Sequence, residues 1–377
     1  MNSQNKYIAV VSCLVVLCIA FSLPMQATKL LERVCYYTSV TPQGDTVTLS
    51  GKVSVPCGKT VKGIILLPHF TIAANKEVPS TSTIPESKYF RDDYILVMPD
   101  YLGYGITRNR EHPYLRGDLV AHHCVDMLVQ VCDSMLFDMC VEADAGMNEA
   151  PLYIIGFSEG AATALWTLRL IEKEYPNITV AACYAGSGPY DVATTYDDAV
   201  AKNRVGMPLA IPMLVMGTSE SYGLNLRRED FFTLEMDGCY DTYITSKEYS
   251  FVSLYFLMAS RKVNHWLSAY AMDKRQADTR RMYESFLRSS LVHFPYAEDI
   301  YRDDSLALGK DTIIPDWQPN APVYIFHSYD DDIVCYSNCE HLQKCWQELP
   351  NVTFETGHFG GHLRSIFAFM KRVKKKL

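Results

Sequence analysis

Short unbroken apolar runs recur along this chain, each closed by turn residues and separated from the next by stretches of helical period. Gly63-Ile-Ile-Leu-Leu67, Tyr94-Ile-Leu-Val-Met98, Leu152-Tyr-Ile-Ile155, Thr179-Val-Ala-Ala-Cys183, Val323-Tyr-Ile-Phe326 and Val352-Thr-Phe354 are the runs. Four to eight apolar residues without alternation are how strands covered on both faces read. Thr46 to Val55 alternates instead, and predicts a strand of an N-terminal hairpin. Helical patterns fill roughly 115–140, 159–175, 336–348 and 362–375. Strand alternating with helix predicts an α/β fold, with a mostly parallel central sheet flanked by helices.

The alternation fails in one place. From about Tyr190 to Asn320 the chain is rich in helix formers and aromatics, with few strand runs. A structureless loop of that length inside a compact domain is not expected, so residues 191–319 read as a helical cap inserted into a core of residues 28–190 and 320–377. Within it Met207 to Met216 is apolar despite two prolines, which suits a contact with the core or a wall of a substrate site. Phe251, Tyr255, Phe256 and Trp266 stand at helical spacing, as core residues or as the lining of an acyl tunnel.

The N-terminus has a different character. Lys6 precedes an apolar run from Tyr7 to Leu23, followed by Pro24 and Ala27. A charged start, an apolar centre and a small residue describe a signal peptide over residues 1–27. It predicts secretion, or delivery to the periplasm or cell envelope, with an uncleaved anchor as the alternative. Export permits disulfides among the ten cysteines beyond Cys18, although no C-x-x-C pair marks a structural zinc site. A hydrophobic content of 48% with 21% charged residues is that of a packed globular chain. The net charge of −8, with its one basic run at Lys371–Lys376, argues against nucleic acid as a partner.

Gly156-Phe-Ser158-Glu-Gly160 follows one of the buried strands and opens the helical Ala161-Ala-Thr-Ala-Leu-Trp166. In a strand-to-helix turn this sharp the glycines avoid collisions, and the serine hydroxyl stands exposed above the sheet. Ser158 is the candidate nucleophile. Such a serine needs a base, and the base needs an orienting acid. Asp330, Asp331 and Asp332 compete as the acid. The base is His358 or His362. His358 stands just past the last strand, 27 residues after Asp331, and is preferred. His362 begins the last helix. Their spacing also imitates a two-histidine zinc helix, but Gly360-Gly361 between them breaks any helix there, and no metal is expected. An oxyanion needs two N–H donors. Glu159 supplies one, and the other comes from the loop Pro68-His69-Phe70-Thr71, with Phe70 preferred over Thr71.

Taken with Met98-Pro-Asp-Tyr-Leu-Gly-Tyr-Gly105 and His112-Pro-Tyr-Leu115, these motifs stand in an order that resembles the α/β-hydrolase superfamily. The resemblance is to its secretory lipases and esterases, especially the secreted bacterial members and more distantly the fungal lipase A type. It covers the core from about 45 to 375. It implies hydrolysis of a small-molecule ester or lipid through an acyl-enzyme, with no cofactor. It also implies a histidine four residues before the acid and a valine three after, which through His327 and Val334 points to Asp331 and leaves Asp330 and Asp332 as solvated turn carboxylates. Phe70 replaces the glycine usual in the oxyanion loop, and Cys335 a common proline. Two other functions remain on the same fold. A prolyl-type serine peptidase needs a charged anchor for a peptide end, for which Asp197-Asp198 or Arg227-Arg-Glu-Asp230 are candidates. A hydrolase-like binding protein without turnover is the non-enzymatic reading.

Overall fold

The computed structural model describes residues 28–147, 150–258, 262–293, 314, 315 and 317–377. The signal-peptide expectation for residues 1–27 lies outside the described residues.

Eight strands form one sheet. In chain order these are β1 (Leu30–Val40), β2 (Thr46–Pro56), β3 (Ile64–Leu66), β4 (Ile95–Pro99), β5 (Leu152–Phe157), β6 (Val180–Gly186), β9 (Val323–Ser328) and β10 (Val352–Gly357). Two short strands, β7 (Val292–His293) and β8 (Ile314–Pro315), pair separately. The main sheet runs β1-β2-β4-β3-β5-β6-β9-β10. The pairs β1/β2 and β2/β4 are antiparallel and the remaining five are parallel. Each apolar run singled out in the sequence is a strand, and the alternating run Thr46 to Val55 is the second arm of the hairpin.

The sheet is covered on both faces. α1 (Gly117–Ser134), α2 (Leu136–Glu142) and α3 (Glu159–Glu174) carry Val120, Leu128, Leu136, Ala164 and Leu168 into the larger core cluster with Leu49, Val97 and Ile154. The far face takes Phe369, Met370 and Val373 of the C-terminal helix, which pack with Ile65, Leu96 and Phe326. Strands buried on both faces cannot show a polar stripe, which is why they read as solid apolar runs.

Between β6 and β9 the chain forms seven helices among the described residues: α4 (Val192–Lys202), α5 (Ala210–Tyr222), α6 (Arg228–Phe231), α7 (Leu234–Tyr240), α8 (Phe251–Met258), α9 (Ala269–Met272) and α10 (Ala277–Arg288). They bury a cluster of their own, including Tyr196, Leu214, Phe231, Trp266 and Phe286. Tyr114 and Leu115 join it from the loop before α1. The last two helices are α11 (Ser337–Trp346) and α12 (His362–Lys376).

Candidate active site

The parallel strands β5, β9 and β10, with β6 between the first two, end on the same edge of the sheet, and the residues that follow them meet there. This is where side chains gather in open parallel sheets. β5 ends at Phe157, and Ser158 takes φ 56° and ψ −125° before α3 begins. A left-handed φ on a non-glycine residue costs about 1–3 kcal/mol and persists only where its surroundings enforce it. The turn is enforced from the front: a Cβ on Gly160 would stand 2.3 Å from the Pro68 carbonyl oxygen. The backbone at Pro68 and His69 therefore rests against the start of α3, and nothing larger than glycine fits between them.

His362 Nε2 lies 2.8 Å from Ser158 Oγ, and His362 Nδ1 lies 2.8 and 3.0 Å from the two oxygens of Asp331. A carboxylate only accepts, so Nδ1 carries the ring proton and Nε2 is left to accept from the serine hydroxyl. All three groups are withdrawn from solvent, the Asp331 side chain completely. Burial alone would raise the Asp331 pKa. The charge and hydrogen bond of His362, the nearby His327 and the Val334 N–H outweigh it and hold the carboxyl below its ordinary value. His327 is itself buried, its Nε2 is 3.1 Å from the Val334 carbonyl, and burial lowers its pKa. Its Nε2 also stands 3.7 Å from Asp331 Oδ2, against the same turn.

The expectation for the base must be corrected. His358 does not approach Ser158: its side chain is 77% exposed, and Nδ1 pairs with Asp330 Oδ1 at 2.9 Å. The physical reason lies in the turn after β9, which aims its three aspartates at three different partners. Asp330 holds His358, Asp331 holds His362, and Asp332 Oδ1 accepts the His362 N–H at 3.0 Å. That last bond caps the start of α12 and fixes the His362 backbone. Asp330 and Asp332 are thus engaged, not simply solvated.

The oxyanion loop needs a correction too. The Phe70 N–H donates to Glu86 Oε1 at 3.1 Å and is occupied. Glu86 sits on the 3₁₀ turn Pro85–Tyr89, is 2% exposed, and has its pKa pushed to about 7 by burial. Nothing in the sequence marked it. Thr71, the second choice, lines the same cavity as Ser158, with its hydroxyl 3.0 Å from Tyr114 Oη. Glu159 begins α3, where the first N–H groups have no partner within the helix.

Ser158 and His362 open onto a cavity of about 340 Å³. Its wall is mostly apolar, with Ile84, Leu214, Phe251, Leu363, Ile366 and Met370 among its residues. Met207, Ala210, Ile211 and Leu214 give the apolar segment around Pro208 and Pro212 its place as part of this wall. Of the four aromatics, Phe251 lines the cavity, Tyr255 stacks on it at 6.3 Å, and Trp266 is buried in the helical cluster. The charged groups considered as peptide anchors are bound elsewhere. Asp197 pairs with Lys274, Asp198 with Lys202 and Arg228 with Asp241, and none of these lines the cavity. Among the described residues no three His, Cys, Asp or Glu side chains are grouped as metal ligands.

The sheet order, the strained serine at the β5–α3 turn and the partners delivered after β9 and β10 define the α/β-hydrolase fold. No family model and no curated protein matches the sequence. Solved structures do match. The chain is similar to a putative hydrolase from Legionella pneumophila, at 18% identity and a TM-score of 0.71 over 97% of this chain and 93% of that one. It is similar to the rice cell wall degrading esterase LipA from Xanthomonas oryzae, at 18% identity and a TM-score of 0.71 over 98% and 92%. Candida antarctica lipase A in its closed state follows at 14% identity and 0.60 over 92% and 78%. At such identities the likeness establishes the fold, and the activity has to be argued from the site.

Proposed function

We propose that this protein is an exported serine hydrolase of carboxylic esters, with Ser158 as nucleophile, His362 as base and Asp331 as orienting acid. The reading rests on one observation: the continuous chain of hydrogen bonds from Asp331 through His362 to Ser158, the last two lining an apolar cavity. The esterase and lipase among the similar structures favour the same substrate class.

The steps follow from the proton positions. Ser158 Oγ attacks the ester carbonyl carbon while its proton passes to His362 Nε2. The tetrahedral oxygen takes its negative charge to the Glu159 N–H and to Thr71. His362 returns the proton to the leaving alcohol, and the C–O bond to that alcohol breaks. A water then repeats the sequence on the acyl-enzyme and releases the acid. Asp331 stays ionised throughout and stabilises the imidazolium. Met207, Ile211, Leu214 and Phe251 of the insertion wall the acyl group, and residues 1–27 direct export.

Labelling tests the reading. Intact-mass measurement after a fluorophosphonate should show one adduct, located on Ser158. Turnover of p-nitrophenyl esters should far exceed that of aminoacyl-proline amides. No adduct would return the protein to the binding-module class, and strong amidase with negligible esterase activity would move it to the peptidases.

A further inference from the structure

Glu159 supplies the helix-start N–H to the proposed oxyanion site, but its side chain has a separate and unexplained partner. The carboxyl is 3% exposed, and its Oε1 lies 2.7 Å from Nε2 of the equally buried His112. The other ring nitrogen, Nδ1, is 2.9 Å from the Leu102 carbonyl oxygen. A carbonyl only accepts, so Nδ1 carries a proton. Nε2 then either carries a second proton and donates to a carboxylate, or accepts from a protonated carboxyl. Either way the pair as a whole is uncharged.

The placement of His112 is built into the fold. Gly103 approaches so closely that a Cβ there would sit 2.6 Å from His112 Cα. The ring packs among Tyr104 at 5.0 Å, Tyr101 at 6.0 Å and Tyr114 at 6.0 Å. A buried carboxylate without this histidine would put a net negative charge on the residue whose N–H must receive the oxyanion. In a poorly screened site that charge opposes the transition state.

Resting on the ester-hydrolase reading, we propose that His112 is a positioning residue for that reaction, sharing a proton with Glu159 so that the oxyanion turn carries no net negative charge.

The neighbours leave this pair as the source of the effect. Burial lowers His69 and brings His123 to about 3, while it raises Tyr101, Tyr104, Tyr114 and Cys124. His123, the three tyrosines and Cys124 stay neutral over about pH 5 to 9, and His69, lowered from its ordinary value, is neutral from about pH 7 upward. Glu111 is raised by burial and lies near Lys247, which burial lowers to about 8; Glu86 across the loop is at about 7. Asp331 and His362 pair with each other and with Ser158, not with His112 or Glu159. Glu159 and His112 both act on His69, and His112 acts on Glu111, so the double variant set against each single one is what isolates the pair.

The test compares His112→Leu, Glu159→Gln and the double variant on a short p-nitrophenyl ester, measuring kcat and KM across pH. His112→Leu should lower kcat at pH 8 about tenfold or more with KM within about threefold. That loss should shrink toward acid pH, where the orphaned Glu159 binds a proton. Adding Glu159→Gln should recover at least about fivefold in kcat and remove the extra pH dependence. A double variant no faster than His112→Leu, with the same pH profile, would overturn the proposal and leave His112 a packing residue. If His112→Leu does not melt cooperatively, His112→Asn replaces it with the same expected recovery. Wild-type protein that turns over no ester would sink the underlying reading instead, a result separable from failed recovery in an active enzyme.

Discussion

His362 Nε2 reaches Ser158 Oγ at 2.8 Å across 204 positions of sequence, while His358, four residues earlier, faces solvent against Asp330. Alanine at the two positions should therefore have very different effects. His362→Ala should cost at least ~10³-fold in kcat, as loss of a general base does, and His358→Ala less than ~3-fold. Steady-state rates on one p-nitrophenyl ester decide it, and comparable losses at both positions would refute the assignment.

Asp332 touches neither Ser158 nor a ring nitrogen, yet its Oδ1 holds the His362 N–H at 3.0 Å. Asp332→Ala should cost about 1 kcal/mol of stability through the lost cap. It should also lower kcat several-fold, because the base loses its backbone tether. Thermal melts and rates on the same preparation test both, and an unchanged kcat would confine Asp332 to stability.

Glu86 gives a pH dependence with a definite sign. Its pKa is raised from 4.5 to about 7 by burial. The unfolded chain ionises it more readily, so folding is disfavoured once pH exceeds the unfolded value, and the cost is complete above the folded one. Glu86→Gln should keep the bond from the Phe70 N–H and escape this cost. It should gain stability over wild type as pH rises from 4.5 to 7, by at most ~3 kcal/mol. Denaturant midpoints at pH 4.5 and pH 8 read the difference; parallel shifts at both would mean the carboxyl does not titrate there.

The cavity wall predicts selectivity. Leu214 comes from α5 and lines the cavity. Leu214→Trp should reduce turnover of an octanoyl ester at least ~10-fold while an acetyl ester stays within ~3-fold, since pocket volume discriminates chain length. Equal losses on both esters would place the acyl group elsewhere.

Much of this was legible in one dimension, and the reasons are physical. Strands β3, β4, β5, β6, β9 and β10 show as apolar runs because helices cover both faces, and Ser158 shows because its turn tolerates so few sequences. His358 and His362 could not be ranked from spacing. Either can follow the last strand, and the choice depends on which of three adjacent aspartates the β9 turn aims inward. Phe70 failed for a similar reason. Its N–H is taken by Glu86 from a five-residue 3₁₀ turn, and so short a turn has no periodicity to read. His112 stood in a quoted motif, but its partner Glu159 is 47 positions away, and no local pattern joins them.

The helical insertion separates Ser158 from Asp331 and His362 in time as well as in sequence. Synthesis proceeds from the N-terminus, so Ser158 and its turn emerge first, then the insertion, and only afterwards Asp331 and His362. On the proposed mechanism a nascent chain that already carries the serine has nothing to take its proton. Reactivity toward esters would begin only when β9, β10 and the start of α12 have docked, and until then Ser158 would not be acylated.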